Sequence, residues 1–354
     1  MGEDGTEDPL TADADTAGAE RPCDEDETGP GCPCLISAFG VKNSTGTALG
    51  WDDVKSGARF AEFDWVWIHV NANSPEAAEW ARSQAFIPQG ATDVILASET
   101  RPRMAKFDSG ISVNLRSVNH NPGAEPEDMV SLRIWADPKH VVTAERRQVR
   151  AIADLREIIG KPKSGPKNSG EFVALLASRV TKALEPYVEE IADSIDELED
   201  IVLEESERNV RARLAEARRI AVQLRRYIAP QRDAINAMSL SDIHLFDART
   251  RLALRETSDA VTRMTEDIDA ARERAMILHE QIMDQRSEEM NRNMLILATA
   301  TAVFLPLHFL VGLLGINVAG IPGAENPLAF WVVLAIALTV GAAMIGFFRA
   351  RGWL

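Results

Sequence analysis

The chain has 354 residues, with 38 Lys and Arg set against 54 Asp and Glu, for a formal charge of −16. That balance repels a phosphate backbone and excludes nucleic-acid binding as a principal role. Residues 1–34 hold eleven Asp or Glu and a single Arg, too little apolar surface to offset ordering entropy, and predict a disordered acidic tail. All three cysteines, Cys23, Cys32 and Cys34, fall there beside Asp24, Glu25, Asp26 and Glu27. Thiolates next to carboxylates can hold Zn²⁺, although free thiols without a ligand role are the plainer reading. The acidic start has no apolar core, so no signal peptide is expected.

Residues 35–166 predict an α/β domain. The runs "LISAF", "FDWVWIHV", "GISVNLRSV" and "VSLRIWAD" are rich in β-branched and aromatic residues and read as strands. Pro75 to Trp80 reads as a helix capped by Ser74. His69, His120 and His140 have no Cys or His at ligand spacing and read as strand or turn residues. No G-x-S-x-G, P-loop or framed pair of carboxylates occurs, so neither an enzyme nor a bound cofactor is expected.

The cluster "GKPKSGPKNSG", Gly160 to Gly170, reads as a linker. Residues 171–292 then predict a stalk of long helices. The first keeps Val188, Ile191, Ile195, Leu198 and Val202 at helical spacing, with acids on its other faces. The second, about Val210 to Met238, is arginine-rich, so an acidic and a basic helix are expected as antiparallel neighbours. From about Phe246 no Pro or Gly interrupts the third until Pro306. A rod of roughly 65–70 residues, about 100 Å long, cannot bury its stripe alone and implies an oligomer.

Residues 293–348 predict a membrane hairpin. Between Arg292 and Glu325 the one ionisable residue is His308, so 294–314 can cross the hydrocarbon, and 328–348 form a second uncharged span. Arg286, Arg292, Arg349 and Arg351 flank the spans, whereas the connecting loop has no Lys or Arg and one acid, Glu325. Both termini, including the tail 349–354, are therefore expected in the cytoplasm.

Stepping back from Gly315 by threes and fours meets Gly312, His308, Leu305, Thr301, Ala298, Met294 and Asn291, then Asp284, Glu280 and Glu273 below the membrane. Polar groups on a lipid-facing stripe are costly, so this face is expected to meet protein or water, and in a ring of identical helices it lines a pore. The carboxylates on the same stripe favour cations. The competing reading makes His308 and Thr301 interhelical hydrogen-bonding groups and Gly312 a point of close packing.

The long helix entering the first span, the closing tripeptide Gly315-Ile316-Asn317 and the ending "FRARGWL" resemble the CorA-type divalent-cation channels and transporters. "GINVAGIPG", "WVWIHVN", "PEAAEWA", "SETRPR", "AERRQV" and "RRYIAPQRD" are similar to the ZntB zinc-transporter branch, whose Gly-Ile-Asn replaces the Gly-Met-Asn of the magnesium channels. The resemblance spans about Ile36 to Leu354. It implies an α+β membrane protein: a homopentamer in a bacterial inner membrane, with a cytoplasmic funnel of α/β domains and long helices, and a pore formed by the first span. Its partners are copies of itself, divalent cations and membrane lipid, and its cargo is Zn²⁺. By the same resemblance, Asn317 at the periplasmic mouth meets the cation through water. Related chains commonly have Thr or Ser at position 308. A histidine there could bind dehydrated metal, take up protons or form a barrier when charged. Transport of Mg²⁺, Co²⁺ or Ni²⁺, or a membrane-anchored scaffold that senses metal without moving it, are the alternatives.

Overall fold

A computed structural model describes residues 34–98, 101–204, 207–316 and 326–352. Its chain divides into two compact units, one holding residues up to Leu198 with Ala212–Arg274, the other Glu199–Arg211 with Ala275–Leu354.

The first unit opens with β1 (Leu35–Lys42), β2 (Thr45–Ala48), α1 (Trp51–Ser56), β3 (Trp65–Asn71), α2 (Pro75–Ser83), α3 (Gln89–Leu96), β4 (Arg103–Lys106), β5 (Ile111–Ser117), β6 (Val130–Ala136), β7 (His140–Glu145) and α4 (Arg150–Gly160). The seven strands make one sheet in the order β2-β1-β3-β7-β6-β5-β4. Every pair is antiparallel except β3 with β7. All seven residues of β3 are buried, as expected of a central strand covered on both faces. Val66, Ile68 and Val70 pack with Trp80, Ala81, Ile87 and Ile95 of α2, α3 and the turn between them. Trp65 and Trp67, on the opposite face, lie against Phe172 with ring centroids 5.4 and 4.9 Å away. Each fully buried aliphatic side chain contributes roughly 1.5–3 kcal/mol.

Helices follow: α5 (Ser169–Lys182), α6 (Glu185–Glu204), α7 (Glu207–Leu240) and α8 (Ala248–Leu314). The segment expected as one helix from Phe172 onward is two, because Pro186 has no N–H to continue the ladder and fits only a first turn. The predicted linker is tied down: Gly165 N–H donates to the Ser44 carbonyl (2.9 Å) and Lys163 N–H to Thr45 Oγ1 (3.1 Å). Asn168 then caps α5 by accepting from Glu171 N–H at 2.8 Å. Gly170 is required by space, since a Cβ there would sit 2.0 Å from the Leu245 carbonyl oxygen.

The expected pairing of the acidic and basic helices appears as one ion pair, Glu197 of α6 with Arg213 of α7 at 3.2 Å. The basic helix also reaches α8 through Arg225–Asp269 and a loop carboxylate through Arg219–Glu127 (2.8 Å). Cys34 does not belong with the tail. It is buried, its carbonyl accepts from Asn71 N–H (3.0 Å), and burial together with the Glu76 carboxylate pushes its thiol up to about 11. A thiol held protonated in this way is a poor Zn²⁺ ligand. Cys23 and Cys32 lie outside the described residues.

In the second unit, residues from Ala275 of α8 and α9 (Ala329–Ala350) form the hairpin. Both are long and apolar enough to cross a membrane. Leu307 lies against Gly341, and Val303 and Phe348 are buried. Leu297, Phe304, Phe309, Phe330, Trp331 and Leu338 are more than 60% exposed, a surface that lipid tolerates and water does not.

Candidate ion pathway

The stripe expected to line a pathway sits on α8, which continues through Pro306 to Leu314. Asn291, Met294, Ala298, Thr301, Leu305, His308 and Gly312 are all exposed, whereas Thr299 and Val303 on the same helix are buried. Val303, with Leu307 against Gly341, marks the side that packs within the hairpin, and the stripe is exposed together with Leu297, Phe304 and Phe309. Met294, Ala298, Thr301 and Leu305 line one open groove of about 650 Å³ together with Leu297, Ala302 and Pro306. Asn291, His308 and Gly312 share the stripe without lining that groove. A Cβ on Gly312 would meet nothing within 4 Å.

Two polar groups change meaning in three dimensions. Thr301 Oγ1 donates to the Leu297 carbonyl at 2.8 Å, so its hydroxyl is satisfied within its own helix and does not by itself demand a partner. Pro306, which pattern alone marks only as a break in the run, has no N–H to give the Ala302 carbonyl. Both residues line the groove, and a carbonyl relieved of its helical donor is a hard oxygen of the kind that cations accept. A proline inside an otherwise unbroken span was the signal for it.

Gly315 ends the helix, with its N–H donating to Val311 (2.9 Å) and Gly312 (3.2 Å) carbonyls. Gly315 does not use the left-handed region, since the glycines with positive φ among the described residues are Gly57, Gly123 and Gly352. A Cβ there would sit 3.1 Å from the Val311 oxygen, a close contact that a shift of a few tenths of an ångström relieves. Ile316 is half exposed, and Asn317 and Glu325 lie outside the described residues.

Of the acids, Glu273 belongs to the first unit and Glu280 and Asp284 to the second, all exposed. Among the described residues no three His, Cys, Asp or Glu side chains gather closely enough to hold a metal. Within one chain these carboxylates act as a field and not as a coordination shell. The three histidines of the α/β domain have structural partners. His69 is fully buried, with Nδ1 2.8 Å from Thr143 Oγ1 and Nε2 3.3 Å from Glu145. His140 stacks on Phe86 at 4.1 Å beside Asp137, and His120 meets the Tyr187 hydroxyl at 3.3 Å.

Residues 62–349 match the family described as CorA-like Mg²⁺ transporter protein. The chain is 38% identical over 291 residues to the divalent cation transporter CmaX of Pseudomonas aeruginosa, covering 82% of this chain and 87% of that one. It is 29% identical over 288 residues to the zinc transport protein ZntB of Pectobacterium carotovorum, covering 81% and 88%. The structure of full-length CmaX superposes with a TM-score of 0.76 at 35% identity, over 90% of this chain and 98% of that one. The CorA magnesium transporter of Methanocaldococcus jannaschii has the same fold, with a TM-score of 0.76 at 18% identity over 90% and 98%. The soluble sheet, the long helix that becomes a span and the second apolar helix together place this chain in the CorA-like Mg²⁺ transporter family.

Proposed function

We propose that the chain moves divalent cations across the bacterial inner membrane, with Zn²⁺ as cargo, through a homopentameric pore lined by the stripe of α8. The observation that carries this reading is the open groove along Met294, Ala298, Thr301 and Leu305, set apart from the buried Thr299 and Val303 of the same helix. A ring of such helices would turn the groove inward and give His308 and Asn291 water and not lipid. Asn317 at the mouth would accept hydrogen bonds from the hydration shell of the ion, selecting without stripping it. Both termini lie in the cytoplasm, where Arg286, Arg292, Arg349 and Arg351 satisfy the positive-inside rule.

Mg²⁺ is the second reading, favoured by the family's description, and Co²⁺ or Ni²⁺ would enter by the same route. Uptake of Zn²⁺, Mg²⁺, Co²⁺ and Ni²⁺ into proteoliposomes, with and without a pH gradient, separates them. Zn²⁺ uptake well above empty vesicles is expected. Uptake of Mg²⁺ alone would favour the second reading, and no uptake of any cation would favour a metal-sensing scaffold.

A further inference from the structure

A basic pocket of about 330 Å³ opens in the first unit, lined by Arg116, Arg133, Arg146, Arg147 and Arg226, with Glu127 and Asp128 as its acids. Arg133 is 1% exposed, an unusual depth for a guanidinium. Its Nε and Nη2 donate to the Ala97 and Ser98 carbonyls at 3.1 and 3.2 Å. Arg146 is fixed by Asn73 Oδ1 (2.9 Å) and the Leu96 carbonyl (3.3 Å), and the Arg116 guanidinium lies 4.6 Å over the Tyr227 ring. Glu127 is already engaged by Arg219 at 2.8 Å. Among the described lining residues, five arginines stand against two carboxylates.

The position of this pocket matters as much as its charge. Leu35 pairs with Val70, Asn71 with Glu145, Glu145 with Leu132, and Ser131 with Arg116, so Cys34 and the pocket stand on one edge of the sheet. β1 and β6 are three strand positions apart, about 14 Å. Nine residues lie between Asp24 and Cys34, so the two positions can stand about 33 Å apart when the chain is extended. Asp24, Glu25, Asp26 and Glu27 at the far end of that stretch are the densest run of acids in the tail.

We propose that the pocket is the docking site for the chain's own acidic N-terminal segment, with Asp24 to Glu27 paired to Arg146, Arg147 and Arg226. Tethering makes the contact intramolecular, so weak individual pairs suffice. Guanidinium forks suit carboxylates better than lysines would. This is independent of which ion the membrane unit carries.

The test uses full-length protein in detergent with Cys32→Ser and a nitroxide on Cys23, the buried Cys34 thiol remaining unlabelled. At 0.1 M salt the spectrum is expected to hold an immobilised component. That component should fall at least about threefold at 1 M, as the screening length drops from about 10 to about 3 Å. It should fall equally in R147Q/R226Q and in D24N/E25Q/D26N/E27Q. A wholly mobile label at 0.1 M overturns the proposal, as does an immobilised component that survives either set of substitutions, which would place the tail on another surface such as lipid.

Discussion

At the scale of residues, groups proposed to meet the ion differ from groups that only hold the helix. Thr301 spends its hydroxyl proton on Leu297, so Thr301→Val, which keeps the shape, should leave assembly intact and reduce flux by less than tenfold. Asn317→Ala removes a hydrogen-bonding ring while sparing the interfaces, and should lower uptake with little effect on the mass of the assembly. Normal uptake by that variant would make Asn317 a helix cap. His308→Thr should flatten the pH profile of flux between about pH 5 and 8, where an imidazole changes charge; an unchanged profile and selectivity would assign His308 to packing. Cys34 offers a check away from the membrane. With its thiol pushed up to about 11 by burial and Glu76, it should resist maleimide at neutral pH and react once the protein is denatured.

At the scale of elements, periodicity made the long helices and both spans legible, because one apolar face or an uncharged run of span length is written directly in the residues. The central strands "WVWIHV" and "VSLRIWA" were legible too, since both are rich in β-branched and aromatic residues. Three strands were not. β2 and β4 have four residues each, and β7 ends in Thr143, Ala144 and Glu145, whose polar side chains are buried against His69 and the Val149 N–H. Pairing with β3, a contact distant in sequence, decides its identity. Of the candidate pathway, the stripe could be read from spacing and the freed carbonyl was signalled by Pro306, but the groove they line and the internal bond of Thr301 required coordinates. Two predictions belong at this scale. Gly170→Ala must push a methyl against the Leu245 carbonyl, 2.0 Å from its Cβ, and should destabilise the soluble unit by about 1–3 kcal/mol in thermal unfolding. The Arg225–Asp269 pair holds the Asp269 carboxyl below its ordinary range through the guanidinium's hydrogen bonds. Its stabilisation is therefore present above the unfolded carboxylate range and is lost as pH falls through the lower folded value. Both side chains are about 40% exposed, so a double-mutant cycle should give less than about 1 kcal/mol, smaller still in high salt.

At the scale of the whole molecule, the stripe proposed to line the pore is exposed in a single chain, and a ring of copies would cover it. Mass measurement in nanodiscs should give five copies. The central claim is that the face bearing Met294, Ala298, Thr301 and Leu305 lines the ion's route. Cysteine accessibility during flux tests it most directly: A298C, T301C and L305C are introduced singly, and Zn²⁺ or Co²⁺ uptake is followed while a small charged thiol reagent is added. Block at all three positions, with V303C and L310C unaffected, is the predicted result. Equal insensitivity at 298, 301 and 305, or block confined to the face that packs against α9, would contradict it.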